Sequence, residues 1–364
     1  MAATSYAQAL GSALTSLANA IRSKTGLSAS MTFSEMTQAV LNIPTGGGGG
    51  LTPMTEWMYN ITESIPSAAS TLTALPYSGF QSNSCITEVE FPNVTTISES
   101  TFQGCTALRF ASFQNCTTIG QMAFDSCANL RSVSFPNCIS VNSYAFRYCS
   151  TLSVIFLPKC TSVGYGAFYM ATNLTHATLP SCSSLFGSAF AYTHLSQFVN
   201  HTVSNIGASA FAYCSLLSVV SCNGATTIQD RAFMGCTNLI QANFSSATTL
   251  GQSVFYQCTR LESVTLPALT STTNGLFWYC SMLSTISLPK LQYLSGTGTF
   301  SYCSNLRSIY LMNSTVVSLY APATVLGTQF PSDCLFYVPA SLYNSYRVST
   351  NWSTASIVSR IMSA

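Results

Sequence analysis

One spacing governs this chain of 364 residues. Phenylalanine stands at Phe80, Phe102, Phe124, Phe146, Phe168, Phe190, Phe211, Phe233, Phe255, Phe277 and Phe300, in steps of 22 broken once by 21 and once by 23. Three residues after it come Cys105, Cys127, Cys149, Cys214, Cys236, Cys258, Cys280 and Cys303. Six after it come Ile86, Leu108, Leu130, Leu152, Leu174, Leu217, Leu239, Leu261, Leu283 and Leu306. In the shortened step Leu195 arrives one residue early and the cysteine is missing. A unit of 22 residues cannot enclose a core of its own, whereas stacked copies bury like on like, so the chain must be a solenoid.

Within each unit apolar residues return three and five positions after the leucine, as in Val133 and Phe135 or Ile286 and Leu288. That is the alternation of a short strand. Prolines such as Pro136, Pro158 and Pro180 end it. A second inward column follows, through Val94, Cys116, Cys138, Cys160, Cys182, Val203 and Ala225, with Ile97, Ile119 and Val141 three residues further on. The expected fold is a β-rich solenoid, a curved stack of rungs about 4.8 Å apart. The two columns hold twelve of the fifteen cysteines, leaving Cys85, Cys222 and Cys334. Such ladders read as buried, unpaired thiols, since a disulfide would turn side chains against the stacking direction.

Charge separates this surface from an ordinary one. Only 6% of residues are Asp, Glu, Lys or Arg, against about 25% in typical domains, so Ser, Thr, Asn, Gln and Tyr must solvate it. A net charge of +2 without a basic run offers nothing to nucleic acid. No apolar stretch reaches the roughly 20 residues that membrane insertion requires. The sequence presents no zinc-type ligand cluster, nucleophile elbow or phosphate-binding loop, so we expect no metal, no cofactor and no enzyme. Glu88 and Glu90 are spaced as a glycosidase pair could be, but charge on an early strand also discourages edge pairing.

The recurring pattern Leu-x-x-Ile-x-Leu-Pro-x-x-x-x-x-Ile-x-x-x-Ala-Phe-x-x-Cys-x-x-Leu closely resembles the BspA-type leucine-rich repeat over about residues 72 to 320. The resemblance implies a β-rich α/β leucine-rich-repeat solenoid, a curved right-handed stack of rungs; this chain departs from the pattern locally at Met170-Ala171, Thr193 and Thr272. A second resemblance lies at the ends. "LTSLANAIRSKTGLSASMTFSEMTQAVLNI" is similar to the helical N-terminal module of bacteriophage tail and other virion-surface proteins, and "LFYVPASLYNSYRVSTNWSTASIVSRI" to the cap that follows such repeats in them. Leu10, Leu14, Leu17, Ala18 and Ile21 form one helical stripe, and Thr32 with Glu35 is a capping box. The expected organisation is a helical attachment or oligomerisation module at 1–45, a glycine linker at 46–50, an N-terminal cap at 51–75, the solenoid at 76–320 and a C-terminal cap at 321–364.

The resemblances imply a virion appendage: a tail fibre, spike or receptor-binding component. It would be joined to other virion proteins through residues 1–45, where it could also trimerise, and would meet a host surface protein or glycan. It would be made in the bacterial cytoplasm, where thiols stay reduced, and act outside as part of the virion. The alternatives are a decoration protein making only protein contacts, a surface adhesin, or a glycan hydrolase. Strand residues two and four after the leucine face out and are mostly polar. In the middle rungs they become Val154, Phe156, His176, Thr178, Gln197, Val199 and Val219, beside Asn200. Of these, Phe156, His176, Thr178, Gln197, Val199 and Asn200 are the candidate ligand-binding residues, an apolar patch with hydrogen-bonding neighbours. A second aromatic set, Tyr148, Tyr169, Tyr192, Tyr213, Tyr256, Trp278, Tyr279 and Tyr302, could stack on sugars or merely cover the rungs.

Overall fold

The computed structural model describes residues 72–364. The module expected at 1–45, the glycine linker at 46–50 and all but the last residues of the cap expected at 51–75 lie outside the described residues. Those described form a parallel β-solenoid of about 13 turns with a repeat near 22 residues. Each rung contributes a three-residue strand, a turn, a two-residue strand and a tight return segment carrying the Ala-Phe pair.

Nine of the two-residue strands make one sheet, from Ala74–Leu75 through Thr96–Ile97 to Thr249–Leu250, and Tyr293–Leu294 pairs separately with Ser318–Leu319. Equivalent residues lie opposite each other, Thr96 against Thr118 and Ile97 against Ile119. The three-residue strands follow the same rule, Val154 against His176 and Phe156 against Thr178. Their side divides into shorter sheets, and one division falls between His176–Thr178 and Gln197–Val199. That division coincides with the rung that lost a residue, although the two-residue sheet pairs across it, Ser184 against Asn205.

The core is a set of columns. The eleven repeat phenylalanines stack successively with centroid separations of 4.8 to 5.7 Å and interplanar angles of 0 to 12°. Phe91, Phe113 and Phe135 start a second stack at 5.6 and 5.3 Å. All fifteen cysteines are free and only Cys85 is exposed. In the column after Phe, each thiol donates to the carbonyl of the phenylalanine one rung earlier, from Cys105 on Phe80 to Cys303 on Phe277, at 3.0 to 3.2 Å. A side chain small enough for the column and able to donate weakly meets both demands, which is why cysteine recurs. In the shortened rung Thr193 takes the place, its hydroxyl donating to Phe190 of its own rung at 2.8 Å.

The return segment is neither strand nor helix. Residues two before and two after every repeat phenylalanine adopt left-handed backbone, with φ between 50 and 72°. Only Gly104, Gly166, Gly235, Gly275 and Gly298 among them are glycine, although another residue there costs about 1 to 2 kcal/mol. The alternation turns every second N–H along the stack. Ser100, Phe102 and Gly104 donate to Gln121, Ala123 and Asp125 of the next rung at 2.9, 2.7 and 2.8 Å. The N–H groups between close turns within the rung, as Gln103 does on Ser100 at 3.1 Å. These paired amides hold the strained positions in place.

Beyond the last repeat come the short helices α1 (Pro322–Leu326), α2 (Tyr343–Val348) and α3 (Ala355–Val358), with strands Leu335–Val338 and Ile361–Ser363 continuing the three-residue side. Trp352 and Tyr346 are fully buried and cross at 5.2 Å. Both fasten Val317: indole Nε1 donates to its carbonyl at 2.7 Å, and its N–H donates to the Tyr346 hydroxyl at 3.0 Å. The end of the phenylalanine stack meets Phe330, 6.3 Å from Phe300, and the aromatic contacts continue through Phe336 to Trp352 at 6.2 and 5.3 Å.

Candidate ligand-binding face

On most three-residue strands the middle residue enters the core and the outer two face solvent, as strand alternation requires; Ser112, an outer residue that is buried, departs from this. Val154 is 50% exposed, Phe156 60% and Val199 56%. His176 and Thr178 stand beside Val154 and Phe156 on the next strand, both exposed. Gln197 and Val199 continue the surface one rung on, opposite Val219 and Ser221. The structure thus brings Phe156, His176, Thr178, Gln197 and Val199 onto one side of three consecutive rungs.

Histidine 176 is oriented by its neighbour. Its Nδ1 lies 2.9 Å from the Thr175 hydroxyl, which also reaches the Ser153 carbonyl at 3.2 Å. This contact fixes the plane of the ring and leaves its Nε2 edge at the surface.

Asn200 does not belong to that surface, and its place in the patch is corrected. It is 5% exposed and occupies the inward column that holds Leu179 and Cys222 in neighbouring rungs. Its amide nitrogen donates to the Leu179 carbonyl at 2.6 Å, and its oxygen accepts from the N–H groups of Thr202 and Val203 at 2.8 and 2.9 Å. A buried amide needs such partners, and here they close the turn of the shortened rung. The position five after the leucine faces in, a signal present in the columns themselves.

The second aromatic set lies on the return segments. Tyr148, Tyr169, Tyr192 and Tyr213 contact in succession at 6.1, 5.5 and 4.8 Å, and Tyr279 stacks on Tyr302 at 4.3 Å. Tyr213 lies over Gly235, where a Cβ would come within 2.6 Å of its ring. These rings cover backbone and one another. Glu88 and Glu90 are exposed on the first three-residue strand, with Val89 buried between them.

The leucine-rich columns can now be set against known repeats. The family model described as BspA type leucine rich repeat region matches residues 73–196 and 204–321, in six copies. The chain belongs to the BspA-type leucine-rich repeat family. The gap between the two BspA-type matches contains Asn200, in the shortened rung. No match is found among curated proteins. Solved structures similar to this BspA-type chain include a leucine-rich cell surface protein of Faecalibacterium prausnitzii, 22% identical over 75% of this chain and 80% of that one, with a TM-score of 0.44. A leucine-rich repeat protein of Bacteroides ovatus is 22% identical over 76% and 84%, at 0.49. The pneumococcal vaccine antigen PcpA is 17% identical over 81% and 76%, at 0.42.

Thiol chemistry gives a direct check on this BspA-type core. Burial pushes the thiols of Cys105, Cys182 and Cys222 up to about 12, and those of Cys127 and Cys236 well above the usual thiol range. Thiolate is the reactive form. An alkylating reagent at neutral pH is expected to modify Cys85 alone in the folded protein and all fifteen thiols after denaturation. Rapid modification of several cysteines without denaturant, followed by mass spectrometry, would contradict the stacked core.

Proposed function

We propose that the chain is a bacteriophage virion appendage, a tail fibre, spike or receptor-binding component whose solenoid holds the host surface or its glycans, with residues 1–45 attaching it to other virion proteins. The observation that carries the binding role is the patch of Val154, Phe156 and Val199, each at least half exposed, with His176, Thr178 and Gln197 beside them. An apolar surface on a rigid scaffold, flanked by hydrogen-bonding groups of fixed orientation, is suited to recognition. The solvent columns elsewhere on this side are chiefly Ser, Thr, Gln and Asn.

The virion context is supported by the similarity of the two chain ends to those of phage proteins. The thiols favour it too. Fourteen buried, unpaired cysteines suit synthesis in a reducing cytoplasm, and their burial protects them during work outside the cell. A decoration protein would instead have both sides of the solenoid covered in the particle.

Phe156→Ala combined with His176→Ala is expected to weaken binding of purified protein to host cells about tenfold. Its thermal transition should stay nearly unchanged, because neither side chain is in the core. Binding equal to that of the native chain removes this patch from the reading. Absence of the chain from purified particles removes the virion role and leaves a surface adhesin.

A further inference from the structure

The nine-stranded sheet carries a second surface, centred on Tyr165 and Phe186. Phe186 directly follows strand Ser184–Leu185 and is 53% exposed; Tyr165 is 48% exposed. The ring of Tyr165 rests against Gly187, where a Cβ would lie 3.0 Å from it, so the two aromatics are neighbours across adjacent rungs. Tyr144 supports Tyr165 edge-on at 5.4 Å, while no ring stacks on Phe186 among the described residues. Residues equivalent to Phe186 one rung before and after are Gly164 and Gly207. A Cβ at either would come within 2.7 Å or less of the preceding rung's backbone. Packing therefore leaves no side chain at the position equivalent to Phe186 on either adjoining rung.

Polar groups run alongside in register. Ser162, Ser184 and Asn205 are opposite one another on successive strands and half-buried. The residues before them, Thr161, Ser183 and Ser204, direct their hydroxyl protons to carbonyls of the previous rung at 3.2, 3.1 and 3.1 Å. Their outer lone pairs are left as acceptors, whereas the hydroxyls of Ser162 and Ser184 have no partner among the described residues and can donate. No ionised side chain occurs in residues 161–167, 183–189 or 204–210.

We infer that this surface binds a neutral polysaccharide chain, with Tyr165 and Phe186 as stacking platforms and the serine and threonine column meeting its hydroxyls. Flat rings beside alternating donors and acceptors match sugar rings, which present apolar C–H faces and polar edges. The absence of cations disfavours anionic polymers. Repetition in register over three rungs, about 4.8 Å each, without an enclosing pocket suits an extended chain more than a single sugar. Hydroxyls already fixed by ladder bonds lose little freedom on binding. The inference rests on reading the solenoid as a binding scaffold, and it assigns a different side from the Phe156 patch.

The test uses the full chain with mixed-linkage β-glucan, mannan and dextran as probes and chondroitin sulfate as the anionic control, in affinity electrophoresis. We expect retardation by at least one neutral polymer. Phe186→Leu with Tyr165→Ala should reduce it about tenfold, and Phe186→Trp should retain it. Equal thermal transitions establish that each variant is folded. Retardation by none of the neutral polymers, by chondroitin sulfate alone, or equally in the Phe186→Leu/Tyr165→Ala variant overturns the assignment. Host-cell binding that depends on Phe186 but survives periodate oxidation of cell glycans also overturns it, in favour of a protein partner. Host binding that fails only in the Phe156 variant, with no polysaccharide bound, sinks this inference and spares the proposed function; polysaccharide binding without host binding does the reverse.

Discussion

Phe146→Ala is expected to destabilise the solenoid by roughly 3 to 5 kcal/mol and to divide its cooperative unfolding in two. The ring is 1% exposed and lies between Phe124 at 5.1 Å and Phe168 at 5.2 Å, with Phe135 edge-on at 6.1 Å. The gap left by its removal cannot easily collapse. Its N–H donates to the next rung's Ala167 at 2.7 Å and its carbonyl accepts from Cys149 at 3.3 Å, so the backbone stays in place while the stack is broken. In a quasi-one-dimensional array each rung meets only its neighbours, and a mid-stack loss uncouples the halves. Urea unfolding should show a lowered, broadened transition, and hydrogen exchange should accelerate around residues 124–168 first. The exposed Phe156→Ala should change the unfolding free energy by less than about 0.5 kcal/mol. A loss below about 1 kcal/mol at Phe146 would mean that its column does not bear the stacking energy argued here.

The columns could be read before any coordinates because burial repeats with the rung: Phe146, Leu152, Ile155 and Cys160 recur in kind every 22 residues and are all inside. The return segment was not legible in the same way. Its left-handed positions are filled far more often by other residues, such as Ser100, Met122, Tyr144, Arg231 and Gln257, than by glycine, because the paired amides, not the side chain, enforce that backbone. For the site, Phe156, His176, Thr178, Gln197 and Val199 followed from strand alternation. Asn200 did not, since polarity suggested a surface where the column count pointed inward. Tyr165 and Phe186 recur in no column, and only the stack's packing shows that the glycines beside Phe186 admit no side chain. Contacts between rungs are separated by about one repeat in sequence, so a pair of single residues leaves no local signal.

Such a pair gives the second large effect. Asp125 and Arg147 each follow a repeat phenylalanine by one residue, in a column with Gln81 and Gln103. The Asp125 side chain is 3% exposed and receives the Arg147 guanidinium through both oxygens, Nε to Oδ1 at 2.9 Å and Nη2 to Oδ2 at 2.8 Å. Gln103 donates to Oδ2 at 2.9 Å, and the guanidinium lies 4.7 Å from the Tyr144 ring and 5.2 Å from that of Tyr148. Arg147→Ala would leave a carboxylate in the rung with only Gln103 and a distant Ser126 hydroxyl at 3.4 Å, a loss of about 3 kcal/mol. Part of that cost falls because the smaller side chain admits water, which places it at the low end for a broken buried pair. Arg147→Lys should recover less than half of it, since a single ammonium cannot match both oxygens or lie flat on the two tyrosines. Asp125→Ala with Arg147→Ala removes the unpaired charge together with its partner and should be more stable than Arg147→Ala alone, by about 1 kcal/mol or more. The double-mutant cycle in urea measures this coupling. If the double variant were the less stable of the two, the carboxylate would not be the source of the loss, and the ion pair would serve only to pack the Arg147 stem between the tyrosine rings.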